Sequence, residues 1–201
     1  MLTIGITGGT GCGKTALLRR IEVRGGCGVD CDALYYTLLK TDAPLRDALS
    51  EAFGCVFLPD GTLDRQALGA RVFSDPAQLD RLNQIVFFHV RQAVEAIQLR
   101  ERSAGQRLLC IDAINLFQSG LDALCDTTIG VLAPEQTRLA RIMTRDGISE
   151  DYAIMRIRAQ EPDAFYRARC RHILENGGSS PEAFQKQADM LLDILTKENR
   201  S

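Results

Sequence analysis

An α/β fold with a parallel sheet, and a phosphate-binding turn after its first strand, is predicted by three observations. Strand-like apolar runs alternate with helical ones along the chain, the pattern of parallel α/β proteins. The stretch Gly8-Gly9-Thr10-Gly11-Cys12-Gly13-Lys14-Thr15 fits G-x-x-x-x-G-K-[ST] between a strand and a helix. Carboxylates at Asp30, Asp32 and Asp112 follow later strand-like runs, where open α/β sheets bind their ligands.

Leu2 to Ile6 is short, apolar and β-branched and reads as a buried first strand. Ala16-Leu17-Leu18-Arg19-Arg20-Ile21 then has helical spacing, and a short strand follows near Gly28-Val29-Asp30. Four helical stretches occupy residues 33 to 102. One covers Ala33 to Leu39, and one opens at Thr41-Asp42-Ala43-Pro44 and ends at Gly54. Beyond the Pro59-Asp60-Gly61 turn, a third runs from about Asp64 to Val72. The fourth starts at Ser74-Asp75-Pro76, where a cap residue precedes proline, and reaches about Arg102 with one bend or break. With no strand among them, these helices read as an insertion over the active face. Strands return at Leu108 to Asp112 and Thr127 to Leu132. Helices follow from Pro134 to Arg145 and from Ser149 to Gln160, then a strand near Ile173-Leu174 and a terminal helix from Ser180-Pro181.

The 201 residues suit one α/β domain with room for a full core. A net charge of −2 offers no general attraction to nucleic acid or anionic membrane, and no apolar run approaches the ~20 residues of a membrane helix. The amino terminus enters the first strand with no signal-type segment, which together with the charge balance predicts a cytoplasmic protein. Seven scattered cysteines, none in C-x-x-C, read as reduced thiols serving as small hydrophobes. Cys27 and Cys31 as metal ligands would need a second pair that the chain lacks.

The chemistry follows from residue types. Glycines at 8, 11 and 13 let backbone N–H groups converge on phosphate oxygens, and the following helix adds its positive end. Lys14 supplies a point charge for the terminal phosphates, and the Thr15 hydroxyl suits Mg²⁺. Asp32 is a candidate base for an acceptor hydroxyl, and Asp30 is a weaker one, on the argument that alternating residues of an extended segment share a side. Against that stands helix capping, for which aspartate before Ala33-Leu34 is equally suited. Asp112 ends an apolar strand as a Walker-B carboxylate near Mg²⁺ does, or as an ordinary turn residue. Eight arginines, and no lysine, fall between residues 138 and 171. Arg138, Arg141 and Arg145 share helical spacing, so a lid could present them to phosphates; the alternative is a solvated face paired with acids. His89 and His172 read as structural, and Phe87 and Phe88 as core.

The residues together resemble the dephospho-coenzyme A kinase family, over nearly the whole chain and in order. Ile6 to Thr15 is similar to its T-G-G-x-G-x-G-K-[ST] opening, and Asp30-Cys31-Asp32 to its D-A-D element. Phe53-Gly54 and Asp60-Gly61-Thr62-Leu63-Asp64-Arg65 match F-G and D-G-x-L-x-R, followed by Val72-Phe73 and Leu82-Asn83. Arg141, Arg145-Asp146, Gln160 and Asn176-Gly177 fall on its later landmarks. The resemblance implies a P-loop kinase core of five parallel strands (residues 1–32, 103–135 and 171–201), a helical substrate-binding insertion (about 33–102) and an arginine-bearing lid (about 136–170). It implies ATP- and Mg²⁺-dependent phosphorylation of the 3′-hydroxyl of dephospho-coenzyme A, giving coenzyme A and ADP; the chain is expected to be a monomer or weak homo-oligomer.

By the same resemblance, Asp32, Lys14, Arg141 and Arg145 would be catalytic. Gly9, Gly11, Cys12, Gly13, Lys14, Thr15 and Ala16 would cradle ATP, with Asn176 near its base. Thr7, Asp32 and Arg65 would meet the acceptor; Thr15 and Asp112 are expected at the metal from their P-loop and strand-end positions. The chain departs from the family at Phe87-Phe88 (His-Pro there), at Ile114 to Gln118, where a proline and a glutamate are replaced, and at Cys170-Arg171 (Ala-Asp there). These departures fall on the acceptor side and lid. They leave open a related P-loop kinase with another nucleotide-like acceptor, or a catalytically weakened nucleotide-binding module.

Overall fold

In the computed structural model, five parallel strands form one sheet in the order β2-β3-β1-β4-β5: β1 (Leu2–Thr7), β2 (Cys27–Asp30), β3 (Leu108–Asp112), β4 (Thr127–Leu132) and β5 (His172–Glu175). Residues 1–177 and 180–198 are described; residues 178–179 and 199–201 of the predicted third core segment lie outside them. Every residue of β1 is buried, as a central strand covered on both faces must be. Alternation along the strands divides the core. Ile4, Ile6, Cys110, Ile129 and Val131 pack on Leu17, Leu18 and Ile21 of α1 (Lys14–Val23) and on Phe184, Ala188 and Leu192 of α9 (Pro181–Glu198). Leu109 and Ile111 point the other way, toward Val90 and Val94 of α5 (Pro76–Ser103). Full burial of each such side chain contributes roughly 1.5–3 kcal/mol.

Between β2 and β3 come α2 (Cys31–Thr41), α3 (Ala43–Phe53), α4 (Arg65–Val72) and α5, with a core of their own built from Leu39, Leu45, Leu49, Phe53, Val56, Leu68 and Val72. An aspartate starts each of the four: Asp30 accepts from Asp32 N and Ala33 N, Asp42 from Leu45 N, Asp64 from Ala67 N and Asp75 from Ala77 N. The expected break in the fourth stretch is absent. Pro76 at its start is the only proline of α5, no glycine interrupts it, and the helix runs unbroken for 28 residues. Phe88 is also not core. It is 58% exposed, because the apolar face of α5 runs through Leu79, Leu82, Val86, Val90 and Val94 and leaves Phe88 outside it. Next to it His89 is buried and pairs with Asp42 at 3.2 Å, the structural role expected of it.

After β4, α6 (Glu135–Asp146) and α7 (Glu150–Arg158) pack through Ile142, Ala153 and Ile157, and Ser149 caps α7 through Tyr152 N. Two short elements lie where no helix was expected, α8 (Asp163–Arg169) and a 3₁₀ turn at Leu121–Leu124. Both are too short to show helical periodicity. Each is fixed by one buried side chain, Tyr166 and Leu121 respectively.

Candidate active site

Parallel register brings the carboxyl ends of the strands together: Ile6 pairs with Asp112, and Asp112 pairs with Asp30. Residues 8–13 leave β1 there and turn into α1. Gly13 caps that helix at φ 103°, a left-handed conformation that favours glycine, and a Cβ on it would collide with the Asn176 amide. Among the described residues, the N–H groups of Gly11, Gly13 and Thr15 make no hydrogen bond, so the turn and the first residues of α1 offer free donors. A cleft of about 400 Å³ opens over them. Its lining includes Gly11, Gly13, Lys14, Thr15, Asp30, Asp32, Asp112, Arg141, Arg145 and Arg156. Free N–H donors, a lysine and three arginines fit the phosphates of a nucleotide.

The loop is held from behind. Lys14 Nζ donates to Gly8 O at 2.9 Å, and Asn176 Nδ2 donates to Cys12 O at 2.8 Å. Arg141 donates to Gly11 O at 3.2 Å and to Asn176 Oδ1 at 3.3 Å. Asn176 is buried beneath the loop, where its amide fixes Cys12; Arg141 touches the loop and also lines the cleft. The Cys12 side chain is buried and burial pushes its thiol up, so it is a neutral filler; its N–H donates to Gly9 O, its carbonyl accepts from Asn176, and it does not line the cleft. Gly9 and Ala16 belong to the same turn and first helical turn but do not line the cleft.

The Asp30 side chain accepts from Asp32 N at 2.9 Å and from Ala33 N at 3.0 Å, so Asp30, not Asp32, is the N-cap of α2. The segment is therefore not extended through Asp32. Both carboxylates reach the cleft because the helix begins immediately after the strand. Asp32, at the rim, has its pKa raised by partial withdrawal from water and then by Asp30, against the opposing effect of Lys14. Asp112 is only 8% exposed, and burial lifts its pKa to about 6 despite Lys14. Among the described residues no three His, Cys, Asp or Glu side chains gather as a metal cluster, so any cation here would need oxygens from a bound ligand.

A second, more apolar pocket of about 220 Å³ shares Asp32 and Ile114 with the cleft and is walled by Tyr35, Leu82, Val86, Phe87 and Val90. Thr7 does not reach either cavity. It is buried, and its hydroxyl donates to Ile114 O at 3.0 Å, steadying the wall the two cavities share. Arg65 stands apart, its guanidinium 4.7 Å from the Tyr36 ring centroid. Of the three arginines on α6, Arg141 and Arg145 line the cleft, while Arg138 turns inward beneath the loop. Arg145 is held by Asp146 at 2.6 Å, and Arg156 shares that carboxylate. The arginine-rich composition flagged Arg138 and Arg156 but did not tell one direction from the other.

A five-stranded parallel sheet, a phosphate turn after its first strand and arginine-bearing helices at the rim define a P-loop kinase. The family model for dephospho-CoA kinase matches residues 2–182, and the chain belongs to that family. The dephospho-CoA kinase of Anaeromyxobacter dehalogenans is 39% identical over 196 residues, 97% of this chain and 92% of the relative. That of Salinibacter ruber is 36% identical over 191 residues, 94% of this chain and 96% of the relative. Among solved structures, TT1252 from Thermus thermophilus superposes with a TM-score of 0.79 at 30% identity, covering 96% of each chain. The dephospho-CoA kinase from Campylobacter jejuni gives 0.70 at 20% identity over 98% of each, a likeness of fold.

Proposed function

We propose that Asp32 works at the boundary of the two cavities as the proton acceptor when this ATP-dependent kinase phosphorylates the 3′-hydroxyl of dephospho-coenzyme A. The observation that carries this reading is that Asp32 lines both the phosphate cleft and the apolar pocket. A hydroxyl seated in the second and aimed at a phosphate in the first would pass it. Partial withdrawal from water and the neighbouring Asp30 raise the pKa of Asp32, which makes the carboxylate a better proton acceptor than a free one.

The loop N–H groups bind the ATP phosphates, and Lys14, Arg141 and Arg145 offset charge on the transferring group. Thr15 would hold Mg²⁺ with Asp112 beneath it, and the ion when bound supplies further positive charge at the phosphate oxygens. Thr7 acts on the acceptor through Ile114, and Arg65 would meet its far end from α4. In this division of labour residues 1–32, 103–135 and 171–201 are the core, 33–102 grips the acceptor and 136–170 is the lid. The described residues include no helix long and apolar enough to cross a membrane, and all seven cysteines are free. Free thiols favour a reducing compartment, and we place the enzyme in the cytoplasm.

The test is an acceptor screen with ATP and Mg²⁺, reading ADP release and the position of the new phosphate. Dephospho-coenzyme A should stimulate turnover at least about tenfold and nucleosides should not, a margin of roughly 1.4 kcal/mol in the barrier. Equal stimulation by nucleosides would move the acceptor to another nucleotide-like molecule. No turnover with any acceptor would leave a nucleotide-binding module.

A further inference from the structure

Thr10 stands in the middle of the loop, and both polar groups of its backbone are taken by side chains distant in sequence. Its N–H donates to Gln160 Oε1 at 2.8 Å, and its carbonyl accepts from Arg138 Nε at 2.9 Å. Arg138 Nη2 donates to the same Gln160 oxygen at 3.0 Å, which closes a ring of three hydrogen bonds. Arg138 is 6% exposed, and a guanidinium so buried is costly unless its donors are used. Its nearest carboxylate, on Asp163, lies 3.9 Å from Nη1, so the loop and Gln160 are its close partners. A Cβ on Gly9 would collide with the same guanidinium, so glycine at this position makes room for the arginine. Neither Arg138 nor Gln160 lines the phosphate cleft.

We propose that Arg138 and Gln160 are positioning residues for phosphoryl transfer, fixing the Thr10 peptide and with it the curl of the loop before nucleotide arrives. The inference rests on reading residues 8–15 as the ATP cradle. Phosphate recognition by backbone donors depends on their fixed directions, so a loop free to re-aim the Thr10 peptide would pay an ordering cost on each binding event. The ring removes that cost in the free protein. It also ties α6 and the segment after α7 to the loop.

Gln160→Leu keeps the bulk and removes the acceptor that both donors share. It should raise the KM for ATP about tenfold, the usual scale for stranding buried donors, while the acceptor KM stays within about twofold. Gln160→Glu retains an oxygen for both donors and should bring the ATP KM back to within about threefold of wild type. A Gln160→Leu enzyme that melts earlier but keeps its ATP KM would overturn the proposal, leaving the ring as scaffold only. Lys14→Ala is run beside it: an inactive Lys14→Ala with a normal ATP KM in Gln160→Leu sinks the positioning role alone, whereas an active Lys14→Ala sinks the cradle and the proposal with it. Amide exchange on nucleotide-free wild type needs no variant to fold. The Thr10 N–H should exchange at least about 100-fold more slowly than that of Gly11, and a Thr10 amide exchanging at the Gly11 rate would refute the ring.

Discussion

Around the phosphate loop, the carbonyls of Gly8, Thr10, Gly11 and Cys12 each accept a hydrogen bond from Lys14, Arg138, Arg141 or Asn176. The pocket beside it is walled mostly by Tyr35, Leu82, Val86, Phe87 and Val90, which give shape, with Asp32, Asn83, Asn115 and Ser119 as its polar points. The difference matches what each cavity must recognise. Phosphate oxygens are read by backbone donors whose directions must be set in advance, so the cradle is built from directional bonds. A long acceptor can be held by apolar burial, which tolerates exchange of one side chain for another. Of the departures from the family pattern, Phe87 and Asn115 line the pocket, Ile114 lies on the wall shared with the cleft, Gln118 borders a small cavity beside it, and none falls within residues 8–15.

Asp32, where the two regions meet, gives the largest expected effect. Asp32→Asn keeps size and hydrogen bonding but removes the proton acceptor, so kcat should fall by ~10²–10⁴ with the ATP KM within about threefold. Because Asp30 holds the cap of α2, the melting temperature should barely move. Acceptor-dependent ADP release and a thermal melt read both. A variant keeping more than half its kcat would remove Asp32 from the chemistry and leave the two cavities unconnected by any reacting group.

Burial of Asp112 makes the cradle a place where function opposes stability. Its pKa, lifted to about 6, lies above that of a carboxyl in the unfolded chain. The folded state therefore favours the protonated form. That stability is fully present below about pH 4 and is lost as pH rises through about 6. Asp112→Asn avoids the loss. In the nucleotide-free protein it should equal wild type near pH 4 and exceed it above pH 7 by on the order of 2–3 kcal/mol. Thermal melts from pH 4 to 8 check the sign. A gap that closes as pH rises would mean that the cradle welcomes the carboxylate.

What could be read in the sequence follows the same division. The cradle was legible because Gly8 to Thr15 encodes its turn and helix start locally, and Asp42, Asp64 and Ser149 declared their helices one residue ahead. Arg138 was not. Its partners are 128 residues back at Thr10 and 22 residues ahead at Gln160, and helical spacing alone grouped it with Arg141 and Arg145. The same holds for Asn176, whose amide reaches Cys12 O from the far end of β5. The apolar pocket left no local signature, since α2, α5 and the segment after β3 each supply only part of its wall.

The smallest effect is expected at Gln118, on the acceptor side, where the family carries glutamate. Gln118 Nε2 donates to Glu161 Oε1 at 3.2 Å, joining the segment after β3 to the segment after α7. The pair spans a small cavity that shares Ile114 and Asn115 with the apolar pocket. Glutamate here would set two carboxylates face to face, so the amide is matched to Glu161 and its presence need not weaken the enzyme. Gln118→Glu should raise the acceptor KM about threefold, the scale of an exposed pair worth under ~1 kcal/mol, and leave the ATP KM unchanged. Added salt should shrink the effect, because exposed charges are screened within about 10 Å at 0.1 M. The exchanged pair Gln118→Glu with Glu161→Gln restores one amide facing one carboxylate, and the acceptor KM should return to wild type. If the single variant is silent, or the exchange fails to rescue it, the two segments are not coupled through this bond. If Gln118→Glu instead raises kcat, the amide is a loss of function and the acceptor side of the site works below its full capacity.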